Sequence, residues 1–118
     1  MILSARHTWR EVPGFTVDRP KGMNNYTFLH FFSSVSLMLN GVRHELSPGA
    51  CLIYAPDTPQ WYYSEGELLH NWMHLTLAAG GLLEQFNIPV NQVFYLSDTN
   101  FITSHVFHIE LEINSANV

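Results

Sequence analysis

The sequence predicts a single, mostly β domain that ends in an α-helix. Short apolar runs separated by glycine, proline and asparagine indicate strands over most of the chain. The apolar spacing becomes helical only near the end of the chain, and the length of 118 residues suits one domain with its own core. We therefore expect a β-barrel or sandwich over residues 1–98 and a helix over 99–114.

A β-hairpin is predicted around Asn40 and Gly41, because both residues tolerate the positive φ angles of a tight two-residue turn. The flanking runs 35–39 and 42–46 then form its two strands. In such a loop every second residue of the paired strands faces the same side, so His44 shares a surface with leucine and valine side chains. His44 is therefore predicted to point inward, either as a packed core histidine or as a ligand contact.

The remaining strands are predicted from apolar runs between turn residues. They cover residues 26–32, 50–55, 60–63 and 68–77, with a first strand expected before Asp18. On the 26–32 strand the alternating face of Tyr26, Phe28, His30 and Phe32 either packs in the core or supplies one wall of a pocket. A short helix is expected over about 79–86 in the connection that follows the last long strand.

The strand over 68–77 carries an alternating polar and aromatic face. His70, Trp72 and His74 lie on this face, whereas leucine and methionine occupy the other. An indole can stack on the C–H side of a sugar ring and imidazole nitrogens can exchange hydrogen bonds with its hydroxyls. A merely solvated face is the alternative, but Trp72 would be a poor choice for exposed surface. The pattern therefore favours a pocket for a polar small ligand.

The C-terminal helix has two apolar faces. Asp98 or Thr99 can cap its start. One stripe consists of Ile102, Val106, Ile109 and Ile113, and the nearly opposite side carries Phe107 and Leu111. Either both faces pack on the same domain, or the face of Phe107 and Leu111 meets a second copy of the chain. The second alternative predicts a homodimer.

Composition and charge exclude several classes of protein. A formal net charge of −5 with five lysines and arginines provides no basic surface for a phosphate backbone, so direct nucleic-acid contact is not expected. Cys51 is the single cysteine, which excludes an intramolecular disulfide, and its apolar neighbours indicate a buried thiol. No apolar run has the length needed to cross a bilayer. We expect a cytoplasmic protein without membrane contact.

Four segments resemble, in order and spacing, the sensor domain of AraC-family transcription regulators. They are Asp18-Arg19-Pro20-Lys21-Gly22-Met23 followed by Tyr26, then Leu46 to Gly49, Tyr54 to Tyr62, and His70 to Leu75. The resemblance implies a cupin-like, jelly-roll β-barrel that binds a small-molecule effector, a sugar or a similar polar compound. It also implies that a separate helix-turn-helix domain, absent from this chain, reads DNA.

The same resemblance implies a set of binding residues. Arg19, Tyr62, His70 and Trp72 match sugar-contacting positions of the family, and His74 and His44 join them from the alternation described above. Arg19 brings five N–H donors, although a role in bracing the turn beside Asp18 is an equal alternative. Tyr62 either presents its hydroxyl to the pocket or belongs to the core.

A metal-dependent cupin enzyme, such as an oxygenase or isomerase, is the alternative function. Such sites contain a His-x-His pair, a nearby Glu and a later His, and this sequence has no His-x-His. His44 and Glu45 alternate to opposite faces, and Gln60 stands where the later ligand is expected. His105, His108 and Glu112 share one side of the final helix, where a solvated face explains them. The sequence thus predicts neither an enzyme nor a metal or other cofactor.

Overall fold

The computed structural model describes residues 2–85 and 87–95, and these form two antiparallel sheets and a short helix. The strands are β1 Ile2–Glu11, β2 Thr16–Arg19, β3 Tyr26–Phe31, β4 Val35–Leu39, β5 Val42–Leu46, β6 Ala50–Tyr54, β7 Gln60–Tyr63, β8 Leu68–Leu75 and β9 Phe94–Tyr95. Helix α1 spans Ala79–Gln85, inside the segment where a short helix is expected.

The two sheets form a sandwich of cupin-like type. One sheet has the strand order β1-β8-β3-β6-β9 and the other has the order β2-β7-β4-β5. The mostly β fold class is confirmed, but the expected closed barrel is replaced by an open sandwich. The reason is that β1 pairs with β8 whereas β2 pairs with β7, so no ladder joins these two edges among the described residues.

The predicted hairpin is confirmed. Asn40 and Gly41 have φ angles of 53° and 78°, and Leu37 lies opposite His44 in the expected register. The inward face is not uniform, however, because Leu37 is fully buried while Val42 near the turn is 57% exposed. The tip of the hairpin extends beyond the core, and His44 is consequently only half-buried.

The core fills much of the space between the sheets with aliphatic and aromatic side chains. Its buried members are Val17, Leu29, Phe31, Val35, Leu37, Leu39, Leu46, Ala50, Leu52, Tyr54, Tyr62 and Leu68. Tyr54 reaches from one sheet to the other and donates its hydroxyl to the carbonyl of Met38, at 2.8 Å. Cys51 is buried with Ala5 in a smaller cluster. Burial of this apolar surface is the main force that holds the two sheets together.

The orientation of β3 excludes the alternative in which its aromatic face supplies a wall of the pocket. Leu29 lies beside Trp72 in the β3–β8 ladder, and both face the space between the sheets. Alternation therefore sends Phe28 and His30 to the other side of the sheet, so they supply no wall of a pocket there. Phe28 packs instead against the cluster around Cys51.

The predicted C-terminal helix over 99–114, with Phe107 and Leu111, lies outside the described residues. The metal alternative on His105, His108 and Glu112 lies there as well. In the part of the chain that the structure describes, α1 is the helix present, and it is too short and insufficiently apolar to cross a membrane.

Candidate ligand-binding site

A cavity of about 320 Å³ lies between the two sheets, at the side where β1 and β2 form the sheet edges. Its lining combines four aromatic rings, three aliphatic or hydroxyl side chains, two histidines and two charged groups of opposite sign. The residues are Trp9, Glu11, Phe15, Val17, Arg19, Thr27, Leu29, Tyr62, His70, Trp72 and His74. Five of the six ligand-binding residues expected from the sequence, all except His44, therefore line one cavity.

Strand β8 supplies one wall of this cavity through the alternating face predicted from the sequence. His70, Trp72 and His74 all line the cavity. The ring centres of Trp72 and His74 lie 5.3 Å apart with an interplanar angle of 56°, so the imidazole packs against one side of the indole. His70 is only 2% exposed, and its ring lies 6.1 Å from that of Phe31 in a stacked arrangement. Its nitrogen Nδ1 is buried without a hydrogen-bond partner.

Burial determines the charge state of the titratable groups in the wall. It lowers the pKa of His70 to about 4, although a hydrogen bond to the backbone of Trp9 acts in the opposite direction. Burial and, second, the positive charge of Arg19 lower the pKa of His74. Burial raises the pKa of Tyr62 to about 12. At neutral pH these three groups are therefore uncharged hydrogen-bonding groups.

A continuous chain of hydrogen bonds crosses the end of the cavity next to β2. Arg19 Nη1 donates to Gln60 Oε1 at 2.8 Å, and Gln60 Nε2 donates to Thr27 Oγ1 at 3.0 Å. Thr27 Oγ1 in turn lies 3.3 Å from His74 Nδ1. Gln60 is 1% exposed and Thr27 is 1% exposed, so the chain runs through the protein interior. It joins a cation of β2 to an imidazole of β8 across the two sheets.

The rim of the cavity comes from β1, which the sequence had not indicated. The Arg6 guanidinium lies 5.9 Å from the ring centre of Trp9 and 5.8 Å from that of Trp72. Trp9 Nε1 donates to Glu11 Oε1 at 2.8 Å. These contacts depend on the β1–β8 register, which is irregular between Arg6 and Trp9. A bulge of this kind redirects side chains, so simple alternation along β1 does not identify them.

The bulge in β1 is held by a buried asparagine. Thr8 has a φ angle of 47°, an uncommon value for a β-branched residue. Its backbone N–H donates to Asn71 Oδ1 at 2.7 Å, and Asn71 is fully buried. Asn71 Nδ2 lies 3.0 Å from His30 Nδ1 on the outer side of the same sheet. The outer face of β8 thus fixes the strand whose side chains form the rim.

His44 is the one predicted binding residue that the structure places elsewhere. It lies with Leu39 and Val42 in a shallow depression beside residues 91–93. The reason is its position near the tip of the hairpin, at the other edge of the four-stranded sheet from β2. The structure therefore does not bring His44 together with Arg19, and a ligand contact by His44 stays a prediction.

No described residues form a group of three or more side chains that could hold a metal ion. Glu45, next to His44, points to the opposite face and accepts hydrogen bonds from Ser36 and Arg43. Gln60, which stands where a metal-dependent cupin would carry a further ligand, bonds Arg19 and Thr27. Glu45 and Gln60 thus hydrogen-bond to other side chains and do not converge with His44 on one metal position.

Fold and cavity together define the class as a cupin-like β-sandwich with an internal pocket. No family model matches the sequence, and no curated protein sequence matches it. Among solved structures, two of the regulator ToxT from Vibrio cholerae are similar, and ToxT is an AraC-family regulator.

The first ToxT structure, bound to (E)-4-(8-methylnaphthalen-1-yl)but-3-enoic acid, has a TM-score of 0.63 and 9% sequence identity; the match covers 98% of this chain and 51% of ToxT. The second has a TM-score of 0.56 and 9% identity, and it covers 92% of this chain and 48% of ToxT. The likeness establishes the fold, and this chain spans about half the length of both structures.

Proposed function

We propose that this chain is the small-molecule sensing domain of an AraC-type transcription regulator. Two observations support the proposal: the segments that resemble the family, and the cupin-like sandwich, which is similar to the structure of ToxT, a regulator. The DNA-binding function belongs to a separate helix-turn-helix domain, in keeping with the net charge of −5 of this chain. A cytoplasmic location and a non-enzymatic role are parts of the same proposal.

The observation that carries the proposal is the cluster of polar side chains in the lining of the cavity. Arg19, His70 and His74 line it together with the indole of Trp72. A few polar groups that converge on an apolar pocket are typical of small-molecule sites. The Arg19 guanidinium donates one hydrogen bond to Gln60, and its remaining N–H groups can donate several more. The polar wall is thus suited to a ligand with several polar atoms.

The size and lining of the cavity define the ligand further. A volume of about 320 Å³ is at the lower end of typical small-molecule sites, roughly 300–1,000 Å³. Trp72 supplies an indole face, and Arg19, His70 and His74 supply polar contacts at the same cavity. A sugar, a uronic acid or a similarly small carboxylic acid fits this lining. The ligand in the first ToxT structure is a carboxylic acid that carries a methylnaphthalene ring.

Ligand binding would regulate the protein by shifting a conformational equilibrium. The cavity lies at the edge strands β1 and β2, whose relative position a ligand that contacts both sheets can bias. Homodimerisation through Phe107 and Leu111 of the C-terminal helix remains a prediction from the sequence. In this proposal, the ligand-dependent arrangement of the edge strands determines how the DNA-binding domains are presented.

A thermal-shift screen against sugars, uronic acids and small carboxylic acids tests the proposal. A ligand that binds only the folded state raises Tm, by an amount that grows with its concentration. We expect Trp72→Ala to weaken binding of such a ligand roughly three- to tenfold, because an aromatic stacking contact contributes about 0.5–1.5 kcal/mol.

Trp61→Ala is the matched control for this experiment. Trp61 lies on the outer face of the other sheet, where its ring stacks on Tyr63 at 6.4 Å. Its loss should leave the affinity unchanged. A ligand whose binding survives Trp72→Ala undiminished would disprove the assignment of the cavity, and stoichiometric iron, manganese or zinc in the purified protein would favour the metal-dependent cupin instead.

A further inference from the structure

The hydrogen-bond chain from Arg19 to His74 takes its direction from Arg19. An arginine guanidinium can donate but cannot accept, so the Gln60 atom beside Arg19 must be the amide oxygen. The Gln60 amide nitrogen then faces Thr27 and donates to its hydroxyl oxygen. The orientation of the Gln60 amide is therefore imposed by the charge of Arg19.

Thr27 transmits this direction to His74. Its hydroxyl oxygen accepts from Gln60, so its single proton is available for one further contact. Two acceptors lie near it, His74 Nδ1 at 3.3 Å and the Met23 sulfur at 3.9 Å. The imidazole nitrogen is closer and is the better acceptor, because a thioether sulfur accepts only weakly. The Thr27 hydroxyl therefore donates to His74 Nδ1.

The tautomer of His74 follows from that contact. A neutral imidazole that accepts at Nδ1 carries its proton on Nε2. The ring of His74 lines the cavity, and Nε2 is not among the buried nitrogens that lack a partner. Arg19 lines the same cavity, and the hydrogen bonds through Gln60 and Thr27 join it to His74. This end of the cavity therefore offers hydrogen-bond donors from both groups.

We propose that Gln60 is a specificity-determining residue: through Thr27 it sets His74 as a donor, so that Arg19 and His74 together select a ligand with an acidic group. The inference rests on the proposed function and narrows its ligand class. A carboxylate has only acceptors at neutral pH and suits two adjacent donors, one of them charged. A hydroxyl group at the same position is a weaker match, because neither partner can accept its proton.

Gln60→Glu preserves the size of the side chain and reverses the direction of the hydrogen bond between residue 60 and Thr27. The introduced carboxylate pairs with Arg19 and can only accept from Thr27. The Thr27 hydroxyl proton then turns away from His74, and its oxygen accepts from Nδ1–H. We therefore expect His74 to change from the Nε2–H to the Nδ1–H tautomer in this variant, and the positive charge of Arg19 to be neutralised.

A two-bond ¹⁵N–¹H correlation spectrum of histidine-labelled protein at neutral pH reads the tautomer directly. The His74 signal is assigned by its loss in His74→Gln. Gln92→Glu is the matched control, because it introduces the same charge at an exposed glutamine outside the cavity. The inference predicts Nε2–H in the wild type and in the control, and Nδ1–H in Gln60→Glu. An Nδ1–H tautomer in the wild type would overturn it without any variant, as would an identical tautomer in a folded Gln60→Glu protein.

Binding of glucuronate and glucose, a pair that differs at one carboxylate, tests the selectivity. We expect the wild type to prefer glucuronate about tenfold, as a charge-assisted contact allows, and Gln60→Glu to lose that preference. Equal affinity of the wild type for both sugars would contradict the selectivity. A failure of the proposed function looks different: neither the sugars nor any carboxylic acid raises Tm, while the tautomers of His74 are as predicted. The ligand preference then falls with the function, and the role of Gln60 in orienting His74 stands.

Discussion

The space between the two sheets is divided into a packed half and an open half. In the packed half, Leu37, Leu39, Leu46 and Leu52 come from both sheets and are at most 6% exposed. In the open half, the cavity of about 320 Å³ is lined in part by polar side chains such as Arg19. The two halves have the same strand architecture, so the side chains alone separate a region that stabilises the fold from one that can bind a ligand.

The boundary between the halves consists of residues that serve both. Val17, Leu29 and Tyr62 belong to the hydrophobic core and also line the cavity. These residues pack against the core on one side, and this packing fixes the positions of the surfaces that they present to the cavity. The packed half therefore supplies the stability that lets the neighbouring half keep a cavity lined by polar groups.

The largest change in stability is expected from a substitution in the packed half. Leu37 is fully buried, so Leu37→Ala removes apolar groups that folding buries and leaves a cavity in the core. We expect the free energy of unfolding to fall by about 2–5 kcal/mol. Urea denaturation monitored by tryptophan fluorescence measures this change. A loss below about 1 kcal/mol would show that the packed half is not the main source of stability.

The second expected effect belongs to the open half and depends on pH. The pKa of His70 is lowered from 6.5 to about 4 by burial, so between these values the unfolded chain binds a proton that the folded protein does not. The stability is therefore complete above pH 6.5 and is lost as the pH falls towards 4, by roughly 3 kcal/mol. The lowered pKa of His74 acts in the same direction.

His70→Phe separates this contribution from those of other titrating groups. The variant retains an aromatic ring beside Phe31 but cannot take up a proton. Denaturation series from pH 7 to about 4 should give a flatter dependence for the variant than for the wild type. Parallel curves for the two proteins would mean that His70 is not buried in the neutral form.

The smallest effect concerns the rim of the open half. Thr8 has a φ angle of 47°, which costs a β-branched residue on the order of 1–3 kcal/mol. Thr8→Gly relieves this cost but adds conformational freedom to the unfolded chain, so a net gain on the order of 1 kcal/mol is expected. Thermal denaturation at fixed pH measures the gain, with Thr16→Gly in β2 as the control that should destabilise. A loss of stability in Thr8→Gly would show that any strain at the bulge is smaller than the entropic cost of the glycine.

The packed half was the more predictable part of the fold. Asn40 and Gly41 determine the hairpin by their backbone preferences, and the register that places Leu37 opposite His44 follows from a two-residue turn. The position of His44 along the inter-sheet space does not follow from the turn, because it depends on where the hairpin ends relative to the other sheet. The strand pattern therefore predicted the direction of His44 but not its distance from the cavity.

The open half was predicted where alternation is regular and missed where it is not. On β8 the polar face of His70, Trp72 and His74 contrasts with an apolar one, so the cavity wall is readable from the sequence. β3 has apolar side chains on both faces, and pairing of Leu29 beside Trp72 decides which face is inner. Along β1 the bulge interrupts the alternation, so no sequence pattern indicates that Trp9 lines the rim.

A small ligand is expected to bind in the open half of the inter-sheet space. Chemical-shift mapping on ¹⁵N-labelled protein, with a compound that raises Tm in the thermal-shift screen, locates its binding site. The indole N–H signals of Trp9 and Trp72 and the amides of β8 should shift, while the indole N–H of Trp61 should not. Shifts confined to the external depression of about 440 Å³ around Ser36, Arg43 and Tyr63, or to the one beside His44, would contradict this expectation.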